Sequence, residues 1–234
     1  MYNHPNAPKH RQKKYLNRSH ISERVFRSVL TCFCRDYTAK ETAEIAGISR
    51  VAVNALFNRF RERILTLTDD RQSFNGEVEV DESYFGARRV RGKRGRGAKG
   101  KIPVVGLLKR GGKVYTQVIT NCHRRSLMTI IKGKVLEDTN IFTDGWKSYD
   151  GLILNGYHHY RIFHSKNEFA RGKNHINGIE SFWSYAKRRM NKFNGIRKDK
   201  FILHLKETEY RWNTKSTNAN MYKQLLTNFR QKPL

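Results

Sequence analysis

Hydrophobic residues at helical spacing mark the first ordered part of the chain. Val25, Val29 and Phe33 recur every four residues, so this pattern predicts a helix from about residue 21. Thr38 is followed three residues later by Glu41, which is the spacing of a capping box. The capping box predicts that a second, short helix begins there.

A glycine and a serine separate this short helix from the next one. Gly47 permits a tight turn, and Ser49 predicts the start of a helix whose apolar stripe is Val53, Leu56, Phe57 and Phe60. The spacing is typical of a helix-turn-helix, which places its second helix in the major groove of DNA. The alternative is an ordinary helical hairpin with a solvated polar face. The side chains predicted to be exposed on the second helix, and suited to bases and phosphates, are Arg50, Asn54, Asn58, Arg59 and Arg61.

From residue 77 the hydrophobic period changes to two. The residues alternate as in a strand, with Val78 and Val80 on one face and Glu79 and Asp81 on the other. Residues 102–120 predict two strands joined at a Gly-Gly turn. The remaining predictions are a helix at 126–136, a strand that starts at 140 and ends near Asp144, a strand at 157–163, and helices at 175–193 and 199–213. This order indicates an α/β domain built on a mixed sheet flanked by helices.

These patterns divide the chain into five segments. They are a basic, poorly ordered arm at 1–20, a small all-α helix-turn-helix domain at 21–65, a linker at 66–76, the α/β domain at 77–215 and a C-terminal tail at 216–234.

The charge of the chain favours a nucleic-acid partner. Lys and Arg number 47 against 20 Asp and Glu, which gives a net charge of +27. Such an excess attracts polyanions. We find no apolar run of the roughly 18 residues that span a membrane, and no signal peptide in the first 20 residues, so we expect a cytoplasmic protein with no membrane partner. Three cysteines fit a reducing compartment, and Cys32 with Cys34 lacks the second pair of a zinc site.

A basic, glycine-rich segment at 88–101 interrupts the α/β domain. Its glycines disfavour a helix, and a run of this kind is usually a solvated loop. Because it follows an acidic strand, it is also suited to binding phosphates beside that strand. The residues that we predict to contact DNA there are Arg88, Arg89, Arg91, Lys93, Arg94 and Arg96.

Three acids stand out in this basic chain. Asp81 and Asp144 lie in strands at points where α/β sheets place reactive groups, and Glu180 shares a helix face with Lys187 two turns later. Carboxylates are the ligands that Mg²⁺ prefers, and two such ions about 4 Å apart assist phosphodiester displacement. For Glu180 alone, a solvated pair with Lys187 or Arg188 is the alternative. Glu79 is compatible either with a place near the metals or with a structural pair to an arginine.

Three segments carry a resemblance to a known family. "VEVDESYFG", "FTDGWKSYDGL" and "NHINGIESFWSYAKRR" resemble the catalytic blocks of DDE-type insertion-sequence transposases of the ISXO-like group, over about residues 76–213. The resemblance implies an RNase H-like fold, with Asp81, Asp144 and Glu180 as catalytic residues that hold Mg²⁺ or Mn²⁺, as two ions. It also implies that Lys187 takes part in catalysis by contacting DNA near the cut, with Arg188 beside it.

The implied activity is metal-dependent cleavage and joining of double-stranded DNA at terminal inverted repeats. Pairing two element ends implies a homodimer or a larger assembly. Many family members carry an N-terminal zinc ribbon, which this chain lacks, so end recognition would rest on the helix-turn-helix and the basic segments. Two alternatives remain open: a non-catalytic helix-turn-helix repressor, and an RNase H-like nuclease that cuts without joining.

Overall fold

The computed structural model describes residues 14–17, 19–68, 73–86, 100–144, 147–149, 151–162 and 175–234. They divide between two compact units, Met1–Glu62 with Ala219–Leu234, and Arg63–Asn218. The helices are α1 (Glu23–Cys34), α2 (Ala39–Ala46), α3 (Arg50–Thr68), α4 (Arg124–Lys134), α5 (Asn177–Asn191), α6 (Lys198–Ser216) and α7 (Met221–Gln231). The strands are β1 (Glu77–Phe85), β2 (Ile102–Lys109), β3 (Val114–Val118), β4 (Asn140–Asp144) and β5 (His158–Ile162). No helix in these ranges is long and apolar enough to cross a bilayer.

The two helices and the turn predicted for the helix-turn-helix are present in the first unit. Thr38 and Glu41 form the capping box at the start of α2, and Gly47 ends that helix with φ +64. The hydroxyl of Ser49 accepts a hydrogen bond from the Ala52 amide at 3.2 Å, which caps α3. The turn between the two helices is therefore short and fixed by local hydrogen bonds.

Aromatic side chains form the core of the first unit. The ring of Phe26 lies 5.6 Å from that of Phe60 and 5.8 Å from that of Phe229, and Phe33 packs on Phe60 at 5.2 Å. Pairs at these distances add favourable quadrupole contacts to the burial of apolar area. One of the rings, Phe229, comes from α7 at the far end of the chain.

Three boundaries drawn from the sequence need correction. The segment assigned as a tail contains α7, whose Leu225 and Phe229 are fully buried because their i,i+4 spacing places both on one helix face. In the basic arm, Tyr15 and Leu16 are buried, and the Leu234 amide donates to the Tyr15 carbonyl. Helix α3 continues to Thr68, which lies inside the predicted linker.

The second unit is a five-stranded mixed sheet with strand order β3-β2-β1-β4-β5. Strand β2 runs antiparallel to both β1 and β3, whereas β1, β4 and β5 run parallel to one another. The α/β class and the mixed sheet are thus confirmed, and this strand order is that of an RNase H-like domain.

Helices cover both faces of the sheet. On one face, Val78 and Val80 of β1 pack with Leu127 and Ile131 of α4. On the other face, the sheet packs against α5 and α6 through Ile179, Phe182, Trp183 and Leu205. Since strand side chains alternate, Glu79 and Asp81 point toward the α5 face.

Candidate active site

Two of the predicted acids, Asp81 and Asp144, lie side by side on adjacent parallel strands. The last residue pair between β1 and β4 is Val80 with Thr143, and Asp81 and Asp144 follow directly on their strands. Phe142, two residues before Asp144, packs among the residues of the α5 face. The alternation along each strand therefore directs both carboxylates to the same face of the sheet.

The third acid lies in the first turn of the helix that covers this face. The buried stripe of α5 consists of Ile179, Phe182, Trp183 and Ala186. Glu180 is exposed next to this stripe, as are Lys187 two turns later and Arg188. The packing of α5 thus brings Glu180 to the face that carries Asp81 and Asp144.

The charges of the three acids act on one another. Burial first, and then the negative charges of Asp144 and Glu180, raise the pKa of the Asp81 carboxyl from 3.8 to about 6. The Glu82 amide opposes this change in pKa by favouring the ionised carboxylate. Asp81 is therefore a partly buried acid whose negative charge is poorly compensated.

The chemistry of these side chains fits a divalent cation. Carboxylate oxygens suit Mg²⁺ and Mn²⁺, and a cation would neutralise the repulsion at Asp81. The side-chain positions form no complete coordination sphere: among the described residues, no three His, Cys, Asp or Glu side chains are grouped to hold an ion. If two ions shared the three acids, each ion would have fewer protein ligands than a single ion would need.

A glycine and a tryptophan shape the surroundings of Asp81. Asp81 pairs across the β1–β2 ladder with Gly106. A Cβ atom at Gly106 would lie 2.5 Å from Cζ2 of Trp183, so only glycine leaves room for this indole. Trp183 is 4% exposed and lies in the hydrophobic core between the sheet and α5. The sequence gives no local signal for the role of Gly106, since the contact joins β2 to α5.

Glu79 takes the structural role that the sequence left open as one of two. Its carboxylate accepts a hydrogen bond from Nε of Arg110 at 2.9 Å and one from the Ile179 amide at 2.8 Å. Glu79 is 1% exposed. Both carboxylate oxygens are thus engaged by the protein, in an ion pair and at the start of α5.

A fourth acid next to Asp81 faces the other side of the sheet. The hydroxyl of Tyr149, which is fully buried, donates a hydrogen bond to the Glu82 carboxylate. Burial and the negative charge of Glu82 hold the pKa of Tyr149 well above its ordinary value. This contact anchors the short 3-10 turn that follows Asp144.

The predicted DNA-contacting side chains differ in exposure. Arg50 and Asn54 are exposed on α3, and Asn58 is half-buried. The expected exposure of Arg61 is wrong: the residue is 6% exposed, and its guanidinium lies 5.7 Å from the ring centroid of Phe57. Arg61 comes one turn after Phe57 and so falls on the buried face of α3, where it stacks on aromatic rings.

The sequence patterns did not identify Val51 of α3 as an exposed apolar residue. Val51 is 79% exposed and lies beside Arg50 in the first turn of the helix. Its position outside the apolar stripe of Val53, Leu56, Phe57 and Phe60 could have indicated this exposure. The predicted contacts of the basic loop, which are Arg88, Arg89, Arg91, Lys93, Arg94 and Arg96, lie outside the described residues.

Among solved structures, the catalytic core domain of BIV integrase aligns with 62% of this chain and 97% of its own, with TM-score 0.38 and 11% identity. A Mos1 transposase paired-end complex with the left transposon end covers 99% of this chain and 82% of its own, with TM-score 0.30 and 12% identity.

Sequence relatives carry the comparison further. A transposase-like protein of Haemophilus influenzae is 45% identical over 109 residues, which are 47% of this chain and 88% of the relative. A protein in the transposable element ISH50 of Halobacterium salinarum is 27% identical over 177 residues, which are 69% of this chain and 60% of the relative. The sequence profile of the ISXO2-like transposase domain matches residues 73–213, a range that includes Asp81, Asp144 and Glu180. The chain belongs to the ISXO2-like transposase family.

Proposed function

We propose that this protein is an active DNA transposase that cuts DNA at the ends of its own element and joins those ends to a target. The observation that carries this proposal is the meeting of three acids on one face of the sheet, where Asp144 and Glu180 both raise the pKa of Asp81. Three neighbouring acids are unexpected in a chain of net charge +27. Binding cations next to a DNA backbone would account for them.

Asp81, Asp144 and Glu180 would hold the metal. When bound, a pair of divalent ions stabilises the attacking and leaving oxygens of phosphodiester displacement. A bound cation would offset the charges of both other acids, which act on Asp81. Lys187, exposed two turns after Glu180 on α5, would bind a phosphate next to the scissile bond.

The chemistry proceeds in two exchanges at phosphorus. In the first, water attacks a phosphodiester at the element end, the bond to the 3′ oxygen breaks, and a 3′-hydroxyl is released. In the second, this hydroxyl attacks a target phosphodiester, and a target 3′ oxygen leaves with the proton. Neither exchange requires a covalent bond to the protein.

Recognition of the element ends is assigned to the helix-turn-helix. Arg50 and Asn54 are exposed at the start of α3, where recognition helices contact base edges. The exposed Val51 would make an apolar contact with a thymine methyl group. The exposed Lys187 and Arg188 of α5 and the basic loop would bind backbone phosphates without regard to sequence. Since two ends must be brought together, the functional assembly on DNA would be a homodimer or larger.

The proposal is tested with the full chain, its own element ends, Mg²⁺ and a target plasmid. We expect joined products from the wild type and none from Asp81→Asn, Asp144→Asn or Glu180→Gln, each of which should still bind the ends. Asp199→Asn is the matched control, because Asp199 is an exposed acid on α6 paired with Arg197. Sequence-specific binding without cleavage would instead identify a repressor. Cleavage of ends without joining, even from pre-cleaved ends, would identify a nuclease.

A further inference from the structure

A single arginine connects all three elements that carry the acids. Arg110 lies in the turn between β2 and β3, and its Nε donates to Oε1 of Glu79 on β1 at 2.9 Å. Its guanidinium lies 3.8 Å from the ring centroid of Phe142 on β4. Its Nη2 donates to the backbone carbonyl of His175, just before α5. We call Arg110 and Glu79 the arginine–glutamate node.

The contacts of the node are adjacent in sequence to the acids. Glu79 comes two residues before Asp81, and Phe142 comes two residues before Asp144. The second carboxylate oxygen of Glu79 accepts from the Ile179 amide at 2.8 Å, one residue before Glu180. The position of each acid is therefore tied to the same buried pair through no more than two residues of chain.

The start of α5 is shaped to accept the Glu79 carboxylate. A Cβ atom at Gly178 would lie 2.8 Å from Oε2 of Glu79 and 3.1 Å from Cδ2 of Leu108. Only glycine at this position lets the first turn of the helix approach the carboxylate. A negative charge at this end of a helix is also favoured by the helix dipole.

Stabilisation of the fold does not by itself explain the presence of the Glu79–Arg110 ion pair. Glu79 is 1% exposed and Arg110 14% exposed at the side chain, and moving both charges out of water carries a large desolvation cost. Well-packed hydrophobic residues are often equally stabilising in the place of a buried ion pair. A pair that is fully hydrogen-bonded does fix geometry, because its donors and acceptors are satisfied in one arrangement.

We propose that Glu79 and Arg110 are positioning residues, which hold Asp81, Asp144 and Glu180 in the mutual arrangement required for metal binding. They act through β1, β4 and the first turn of α5 and do not touch the reacting atoms. The importance of this arrangement for catalysis rests on the proposed transposase function. The arrangement itself can be tested without any activity.

The first test measures amide hydrogen exchange in the metal-free full chain. Glu79→Gln keeps the size of the side chain but leaves one of its two hydrogen bonds without an acceptor. A hydrogen bond to a charged group contributes enough that we expect the Ile179 and Glu180 amides to exchange roughly 10- to 100-fold faster. Gly178→Ala, which keeps both charges, should accelerate the same amides and covers the case in which Glu79→Gln fails to fold.

Two matched controls separate positioning from general loss of stability. Glu209→Gln changes another buried acid, 2% exposed, which lies on α6, is paired with Lys206 and accepts a hydrogen bond from the Thr116 amide. Gly133→Ala adds a methyl group to a helical glycine with no atom within 4 Å of the added Cβ. Neither control should change exchange at Ile179 and Glu180 relative to the rest of α5.

The second test measures strand joining as a function of Mg²⁺ concentration. Substitution of a residue that orients metal ligands typically changes metal affinity or activity by roughly 10- to 100-fold. We expect Glu79→Gln to raise the Mg²⁺ concentration required for joining by this factor. Its affinity for element ends should match that of the wild type. The proposal is overturned if the Ile179 and Glu180 amides exchange as in the wild type, or if Glu79→Gln affects joining no more than Glu209→Gln does. A wild type that joins no DNA would refute the proposed function, while the exchange test would still decide whether the node positions α5.

Discussion

Gly106 lies directly opposite Asp81 in the β1–β2 ladder, and the space beside Gly106 is filled by the indole of Trp183. A Cβ atom at this glycine would come within 2.5 Å of Trp183 and 2.9 Å of Cδ1 of Ile179. Trp183 comes one turn after Glu180, so the absence of a side chain on β2 lets α5 lie close to the strand that carries Asp81. The geometry of the acid cluster depends on this close approach.

We therefore predict that Gly106→Ala destabilises the protein. The added methyl group must displace a buried indole, and overpacking of this kind costs about 1–3 kcal/mol in the free energy of unfolding. Urea denaturation followed by fluorescence measures the change. Gly133→Ala is the control and should be neutral or stabilising by up to about 1 kcal/mol, because its new methyl group meets no other atom and alanine favours helix. Equal stability of Gly106→Ala and wild type would show that α5 tolerates a larger separation from β2.

The raised pKa of Asp81 predicts a pH-dependent stability of the metal-free protein. Because the pKa is about 6 in the folded protein against 3.8 ordinarily, the folded state binds the proton more tightly than the unfolded state. The ionised Asp81 carboxylate therefore lowers the free energy of unfolding, by the full amount above pH 6 and by less as the pH falls toward 3.8. Asp81→Asn should stabilise the metal-free protein at pH 8 by about 1–3 kcal/mol.

Denaturation of both proteins with a chelator present, at pH 8 and near the acid end of this window, measures the effect. The advantage of Asp81→Asn should shrink at the lower pH, and added Mg²⁺ should stabilise the wild type more than the variant. The control Asp199→Asn, at an exposed acid, should show neither behaviour. A variant that is less stable than the wild type at pH 8 would mean that the Asp81 charge is compensated in solution.

The exposure of side chains on α3 predicts which substitutions alter DNA preference. Arg50→Ala and Asn54→Ala should each reduce the preference for element ends over random duplex by about 1–3 kcal/mol, if each makes a paired contact with a base. Arg61→Ala serves as the contrast, because this residue is buried against Phe33 and Phe57. It should lower stability and leave the preference unchanged. Competition binding with end and random duplexes distinguishes the two outcomes, and loss of preference in Arg61→Ala alone would reverse the assignment.

The basic segment at 88–101 predicts a different DNA effect. Each neutralised phosphate contributes about −0.9 to the slope of log affinity against log salt on duplex DNA. Arg94→Ala with Arg96→Ala should therefore weaken binding equally on all sequences and flatten that slope by up to about two units. A salt titration on end and random duplexes provides the measurement. If this double variant loses sequence preference, the loop takes part in base recognition and the division of roles is wrong.

The elements of the fold follow from the sequence where the determining pattern is local. The capping box of Thr38 and Glu41, the alternation along β1 and the apolar stripe of α5 each lie within a few residues of chain. Propensity, capping and periodicity act over such distances, so they fix the type of element without knowledge of its neighbours. The predicted face of Glu180 on α5 depends only on helical geometry and is present in the structure.

Only the tertiary structure decides what these elements bury and bind. Arg61 fits the polar composition of α3, but its guanidinium is covered by Phe33 from a different helix. Helix α7 shares a core with α1 and α3 through Phe229, which is distant in sequence from both. The same holds for Glu79, whose partners Arg110 and Ile179 come from separate elements. Such contacts depend on which residues distant in sequence are brought within a few ångströms, and no local pattern encodes that distance.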